Sequence, residues 1–98
     1  MNPSVTENDI EQKFRLWCKS RGHLCLKLRP VPEGRGFPDR TVVMSNGCVV
    51  FIELKRGNRG RVSPHQEKWL NSLVSRGCNA FICRCFEEAE KIIINFED

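Results

Sequence analysis

The stretch GFPDRTVVMSNGCVVFIELKRG constrains the fold of this chain more than any other, because two apolar runs in it both adjoin charged residues. The turn sequence Ser45-Asn46-Gly47 separates the runs and predicts a β-hairpin with strands at about 40–44 and 48–55. The second strand does not end at a turn but continues into Glu53 and Lys55. Side chains alternate across a strand, so this carboxylate and ammonium share one face. Because burying two unpaired charges costs several kcal/mol, the pair needs a partner or a chemical purpose.

The register of the hairpin decides whether Asp39 is that partner. A two-residue Asn46-Gly47 loop would place Arg40 opposite Glu53. A three-residue loop would pair Met44 with Cys48, and Asp39 would then lie opposite Glu53. We favour the three-residue loop, a type I turn with Gly47 in the left-handed position, which is common in hairpins. It also fits strands that are apolar on both faces, as expected for a central pair covered by helices.

Caps and hydrophobic periodicity place the other elements. A capping box at Ser4 and Glu7 predicts a helix to about Ser20, and Ser63-Pro64-His65-Gln66 predicts the start of a second helix that ends at Gly77. That helix is expected to turn four apolar side chains inward, namely Trp69, Leu70, Leu73 and Val74. The remaining predicted elements are strands at about 23–28 and 79–84, an irregular loop at 30–38, and a helix at 87–93, with residues 92–96 open between helix and strand. The order αβββαβα predicts one α/β domain over residues 1–98, with a mixed central sheet flanked by helices.

The positive charge of the chain is concentrated around the hairpin. Residues 29–61 hold seven Lys and Arg against three Asp and Glu, and this net charge of +4 equals that of the whole chain. A localised basic region is the electrostatic footprint of a phosphate-backbone partner, although a solvated basic loop has the same composition. The phosphate contacts that we expect are Arg35, Arg40, Arg56, Arg59 and Arg61.

Six cysteines raise the question of disulfides or zinc. No run approaches the ~18 apolar residues of a membrane span and no secretory signal pattern is present, so disulfides are not expected. Cys83 and Cys85 have a spacing that zinc fingers do not use, which leaves Cys18, His23 and Cys25 as the remaining candidate metal group. We interpret the cysteines as small, reduced core residues and expect a cytoplasmic protein of a bacterium or a phage-infected cell.

At these residues the sequence resembles the PD-(D/E)xK nuclease signature, since Pro38-Asp39 is followed by Glu53-Leu54-Lys55. More narrowly, Gly36-Phe37-Pro38-Asp39, with Glu11 upstream and Gln66 downstream, is similar to the VRR-NUC (virus-type replication-repair nuclease) family over residues 7 to about 90. The resemblance implies a restriction-endonuclease-like αβββαβα core and hydrolysis of phosphodiester bonds in DNA. Without the additional domains of the large eukaryotic members, the chain looks like a stand-alone phage or bacterial form.

The resemblance also implies a metal site. Asp39, Glu53 and the backbone carbonyl of Ile52 would bind Mg²⁺ or Mn²⁺, which prefer oxygen ligands, and Glu11 would complete the shell directly or through water. Lys55 would orient or deprotonate a water molecule and stabilise the transition state.

Gln66 is the further site residue, and several of these residues also have purely structural interpretations. Gln66 could serve only the capping box of its helix, and Glu11 could be a solvated helix residue. Asp39 could be a turn residue after proline, and Glu53 and Lys55 could form a local ion pair.

Two other classes of function are weighed against a nuclease. A non-catalytic nucleic-acid-binding module would account for the basic loops but not for carboxylates among them, and a phage structural or inhibitor protein would need no divalent metal. We therefore predict a Mg²⁺- or Mn²⁺-dependent endonuclease of branched DNA, with four-way (Holliday) junctions first. A homodimer is expected because 98 residues bury a modest core and stand-alone family members look like dimeric junction resolvases. The expectation also rests on surplus apolar residues, namely Trp17, Phe81, Phe86, Phe96 and 92–94.

Overall fold

A computed structural model describes residues 6–28, 32–57 and 60–97 of the chain. The elements in these ranges are α1 (Glu7–Ser20), β1 (Leu24–Lys27), a 3-10 turn (Pro32–Gly34), β2 (Arg40–Val43), β3 (Val49–Leu54), α2 (Pro64–Ser75), β4 (Asn79–Cys83) and α3 (Phe86–Phe96). The predicted αβββαβα order is confirmed, and residues 92–96 belong to the last helix. None of the helices in the described ranges is long and apolar enough to cross a membrane.

The sheet is mixed, with strand order β1-β2-β3-β4. The first two pairings are antiparallel, whereas β3 and β4 are parallel, as the crossover through α2 requires. Arg40 lies opposite Ile52, and the Met44 N–H donates to the Cys48 carbonyl at 2.8 Å. The three-residue loop is therefore confirmed, with Gly47 in the left-handed conformation at φ 91°. This register carries Asp39 to the position opposite Glu53.

The main core lies between the sheet and the pair α1 and α3. Phe14 of α1, Ile52 of β3 and Ile93 of α3 are fully buried there. Helix α2 packs on the other face, against β4, and none of its residues is fully buried. Trp69, Leu70 and Leu73 are half-buried as predicted, but the inward placement of Val74 is wrong, since its side chain is 54% exposed. A single helix covers only part of this sheet face, so the edge of its apolar stripe has no element to pack against.

Helices α1 and α2 both begin with a capping box, but the box of α1 differs from the prediction. Thr6 and Asp9 form it: the Thr6 side chain accepts from the Asp9 N–H at 3.1 Å, and the Asp9 carboxylate accepts from the Thr6 N–H at 2.9 Å. Ser4 lies outside the described residues, and Glu7 is the first helical residue. At α2 the predicted box of Ser63 and Gln66 is confirmed.

All but one of the surplus apolar residues near the chain ends are used in or against the core. Phe86 and Ile93 belong to the core, and Trp17, Phe81, Ile92 and Phe96 pack against it. This argument for a dimer therefore loses most of its support, since Ile94, at 44% exposure, is the one residue it invoked that stays exposed. A different apolar row is uncovered: Leu24, Leu26 and Leu28 are 42–59% exposed at the β1 edge of the sheet.

All six cysteines are free thiols, and the core interpretation is confirmed for Cys18 and Cys83, which are fully buried. Cys18, His23 and Cys25 do not form a metal site, because both ring nitrogens of His23 are engaged elsewhere. The His23 Nδ1 accepts a hydrogen bond from the Ser45 N–H at 3.0 Å, and its Nε2 lies 2.6 Å from a Glu97 carboxylate oxygen. Both ring nitrogens thus tie the hairpin to the C-terminal end of α3.

Candidate active site

Glu53 is the centre of a polar cluster at the end of β3. One carboxylate oxygen accepts from the Asp39 backbone N–H at 3.2 Å. The other accepts from the Gln66 side-chain amide at 3.1 Å and lies 3.5 Å from the Lys55 ammonium. The side chains of Glu53 and Lys55 are 5% and 10% exposed, respectively. Four of the predicted site residues therefore meet in one partly desolvated place.

Burial changes the acid–base properties of this cluster. Desolvation, followed by the neighbouring Asp39 carboxylate, raises the pKa of Glu53 to about 8, against the lowering effect of the Lys55 ammonium. Two adjoining carboxylates, here the buried Glu53 and the half-buried Asp39, favour either a proton or a cation between them. The cluster is thus a place where added positive charge is stabilised.

Gln66 serves its helix and the cluster at once. Its side-chain oxygen accepts from the Ser63 N–H at 2.9 Å, which completes the capping box of α2. Its amide nitrogen donates to Glu53 across the face of the sheet. The capping role of Gln66 is therefore confirmed, and the same side chain also contacts the Glu53 carboxylate.

The loop before Asp39 is pinned against α2 by Gly36 and Phe37. Gly36 has φ 88°, and a Cβ added to it would lie 2.6 Å from the backbone carbon of His65. Phe37 packs edge-to-face on Phe51, at 5.4 Å between ring centroids, and on Trp69 at 5.1 Å. The Gly-Phe-Pro-Asp stretch thus positions Asp39 by a close backbone approach followed by an aromatic anchor.

Replacing Gly36 with alanine is expected to destabilise the protein by at least about 2 kcal/mol, since it adds a clash with the backbone of α2 to left-handed strain. Gly77→Ala is the matched control: Gly77 has a similar φ of 82°, but a Cβ there meets nothing within 4 Å. The control should lose about 1 kcal/mol, from strain alone. Urea denaturation of both variants measures the difference, and equal losses would show that the close approach at Gly36 carries no weight.

Glu11 lies apart from the cluster. Its carboxylate accepts from the buried Arg40 guanidinium at 2.8 Å and from the Lys27 ammonium at 3.1 Å. Arg40 faces the same side of the sheet as its partner Ile52, whereas Glu53 points to the opposite side. Among the described residues, no hydrogen bond or ion pair joins Glu11 to Asp39 or Glu53.

The same geometry removes Arg40 from the predicted phosphate contacts. Its side chain is only 5% exposed and is paired with Glu11, so the expectation that it contacts DNA is wrong. Arg35 and Arg61 are exposed and Arg56 is half-buried, while Arg59 lies outside the described residues. Charge counting could not separate these residues, because it does not tell which way a strand residue points.

Lys27 is a residue near the site that the sequence reasoning missed. Together with Leu28, Phe37, Pro38, Asp39 and Gln66, it lines a cleft of about 290 Å³ that opens beside the cluster. Its only sequence signal was its place in an alternating strand. Its ion pair with Glu11 holds the ammonium, which is itself 58% exposed, at the rim of this cleft.

The fold and the cluster together define a class: an αβββαβα core with two carboxylates and a lysine at the end of its central strand is that of restriction-endonuclease-like nuclease domains. The chain belongs to the VRR-NUC domain family, whose model matches residues 6–87. Domains of this family are of nuclease type.

Solved structures give the same result. One, described as a VRR_NUC domain, is 27% identical with a TM-score of 0.80, and the match covers 95% of this chain and all of the other. A second, a VRR_NUC domain protein, is 18% identical with a TM-score of 0.71 over 97% of this chain and 90% of the other, and shows the shared fold. Among curated proteins, none matches this chain.

Proposed function

We propose that this protein is a Mg²⁺- or Mn²⁺-dependent DNA endonuclease that hydrolyses phosphodiester bonds in branched DNA. The observation that carries the proposal is the convergence of Asp39, Glu53, Lys55 and Gln66 at one end of the central strands. Family membership supplies the nuclease class, and a nuclease domain implies a nucleic-acid substrate. Metal dependence, the DNA structure and the roles of single residues are the parts that we propose.

The oxygen donors at the cluster fit a hard divalent cation. Asp39 and Glu53 adjoin, and burial, followed by the Asp39 carboxylate, raises the pKa of Glu53 even with the Lys55 ammonium beside it. Within the described ranges no group of three or more His, Cys, Asp or Glu side chains could hold a metal. The ligands that we propose from the protein are therefore only the two carboxylates of Asp39 and Glu53 and the Ile52 carbonyl. Mg²⁺ is commonly held by one or two carboxylates and keeps several waters. When bound, such a cation acidifies a water ligand and neutralises charge on the phosphate. We leave Glu11 out of this set, because Arg40 and Lys27 engage it.

We propose that Lys55 acts on the phosphate or on the attacking water. Its backbone N–H donates to the Cys83 carbonyl at 2.8 Å, which fixes the start of the side chain. Its ammonium is held beside Glu53 in a site with little solvent, where a positive charge stabilises developing negative charge more than it does in water. Gln66 supports this arrangement by orienting the carboxylate that lies between them.

DNA affinity is expected to fall steeply with salt, because lysine and arginine side chains displace counterions from the phosphate backbone. Replacing Arg56, Arg59 and Arg61 with glutamine should reduce the slope of log affinity against log salt by about two to three and leave Mn²⁺ binding intact. The matched control replaces Lys19, Arg76 and Lys91, three exposed cations outside the basic segment, and should leave the slope near that of the wild type. Fluorescence anisotropy over a salt series measures both. Equal slopes for the two triple variants would show that DNA does not bind along Arg56, Arg59 and Arg61.

We further propose a homodimer that cuts four-way junctions, because a two-fold axis brings two sites to two strands of equal polarity. The uncovered row of Leu24, Leu26 and Leu28 is the candidate interface. It lies along an edge strand, and Leu26 shares the sheet face of Phe51 and Glu53 through its pairing with Thr41. A second copy would cover both the leucines and the unpaired edge.

Sedimentation at micromolar concentration should give about twice 11.3 kDa. Leu24→Lys with Leu26→Lys should give a monomer, whereas Leu16→Lys, at a residue 54% exposed on α1, should remain dimeric. The cleavage experiment uses duplex, nicked, flap and four-way-junction DNA with Mn²⁺, and symmetric nicking of the junction is the expected result. A monomer that cuts flaps better than junctions would contradict the dimer and leave the nuclease proposal standing. No cleavage of any substrate would contradict the nuclease proposal itself.

We place this activity in the cytoplasm. Six free thiols, two of them fully buried, are consistent with a reducing compartment, where disulfides rarely persist.

A further inference from the structure

Arg84 joins the end of β4 to the loop that follows Lys55. Its guanidinium donates from one nitrogen to two backbone carbonyls, those of Gly57 at 2.9 Å and Gly60 at 2.6 Å. Its own carbonyl accepts from the Gly57 N–H at 2.9 Å. The Arg84 N–H in turn donates to the Glu88 carboxylate in the first turn of α3, at 2.6 Å. One residue thus fastens Gly57 and Gly60 to the rigid part of the fold.

Gly60 lies directly against the side chain of Lys55. A Cβ added to Gly60 would lie 2.9 Å from both the Cβ and the Cδ of Lys55, and 3.3 Å from the Arg56 nitrogen. Lys55 as a whole is 8% exposed, and the Gly60 backbone forms one wall around its stem. A side chain at position 60 would therefore have to displace the stem of Lys55.

We propose that Arg84 is a positioning residue for catalysis: by holding the Gly60 carbonyl, it presses the Gly60 backbone onto Lys55 and confines the ammonium beside Glu53. The inference rests on the proposed function, since it assigns to Arg84 the placement of the lysine that acts in the reaction. A lysine side chain has four flexible carbons, and small errors in the placement of a reacting group reduce rates strongly.

The restraint can be observed without any assay of activity. In the full-length protein, nuclear Overhauser contacts should connect the Gly60 α-protons with the Lys55 methylenes. These contacts should be lost in Arg84→Ala and retained in Arg84→Lys, because an ammonium can still donate to both carbonyls. Arg76→Ala is the matched control, since Arg76 also donates from its guanidinium to one backbone carbonyl, that of Ser72 at 2.9 Å, but on α2. Contacts that persist unchanged in Arg84→Ala would overturn the proposal.

Kinetics at saturating Mn²⁺ separate positioning from DNA contact. Arg84→Ala should lower kcat about 10- to 100-fold with little change in KM or in Mn²⁺ affinity. Gly60→Ala should lower kcat in the same way by displacing the Lys55 stem, Arg84→Lys should recover most of the rate, and Arg76→Ala should match the wild type. A raised KM and a reduced salt slope with unchanged kcat would make Arg84 a phosphate contact and overturn the inference. If the wild type cuts no DNA, the proposed function is contradicted. If the wild type and Arg84→Ala cut DNA equally well, the proposed function stands and the role of Arg84 is contradicted.

Discussion

Lys55→Ala is expected to lower the rate of DNA cleavage by at least about 10²–10³-fold while Mn²⁺ still binds. The ammonium lies next to Glu53 in a site with little solvent, so its loss would remove the charge that we propose to stabilise the transition state and would leave both carboxylates in place. Asp39→Ala and Glu53→Ala should abolish cleavage and metal binding together, because each removes one of the two carboxylates. Single-turnover cleavage of a labelled junction at saturating Mn²⁺ measures the rates.

Lys68→Ala is the control for the removal of a lysine, since Lys68 is exposed on α2 and has no contact with the cluster in the described residues. It should cut like the wild type, and circular dichroism should show that all four variants are folded. A Lys55→Ala variant that cuts at nearly the wild-type rate would contradict the role assigned to this residue.

Glu53→Gln is expected to stabilise the metal-free protein at pH 9 by a few kcal/mol. In the folded state the pKa of Glu53 is raised from 4.5 to about 8, first by burial and then by Asp39. Between these two values the folded protein holds a proton that the unfolded chain has released, so the free energy of unfolding falls as pH rises through this window. One pH unit corresponds to about 1.4 kcal/mol, which gives a loss of a few kcal/mol by pH 9. A glutamine stays neutral and removes the loss, although only one of its two terminal atoms is an oxygen that can accept a hydrogen bond from Asp39 or Gln66.

Thermal denaturation in a chelator at pH 5, 7 and 9 tests this expectation. The wild type should melt at a lower temperature as pH rises, and Glu53→Gln should show a much smaller decline. Mn²⁺ should restore the wild type at pH 9, because a ligand that binds only the folded state stabilises it. Glu97 does not interfere, since hydrogen bonds from Arg21 and His23 lower its pKa to about 2, and the stability it supplies is lost only in acid. A wild type that is as stable at pH 9 as at pH 5 without metal would contradict the account.

The fold was predictable because its determinants are local. The turn residues Ser45 to Gly47 fixed the hairpin register, and that register alone brought Asp39 opposite Glu53. Ser63 and Gln66 identified the start of α2 through a cap whose partners lie three residues apart. Where the determinant was the direction of a side chain, prediction failed, as for Arg40, which looked like a surface cation and lies buried against Glu11.

Long-range partners explain the other gaps. The binding of Arg84 to carbonyls 24 and 27 residues away leaves no trace in the sequence, because backbone acceptors carry no residue identity. The pairing of Glu11 with Arg40 and Lys27 depends on how α1 crosses the sheet, which periodicity does not specify. Val74 follows a helical apolar pattern, but the sheet face beneath it is only partly covered.

Calorimetric titration of Mn²⁺ into the wild type, Glu53→Ala and Lys55→Ala tests the central claim most directly, because it also separates a nuclease from a non-catalytic binding module and from a structural protein. The account predicts binding to the wild type, loss of binding in Glu53→Ala and retained binding in Lys55→Ala. No binding to the wild type, or binding unchanged in Glu53→Ala, would contradict the claim that Asp39 and Glu53 form the metal site of this nuclease domain.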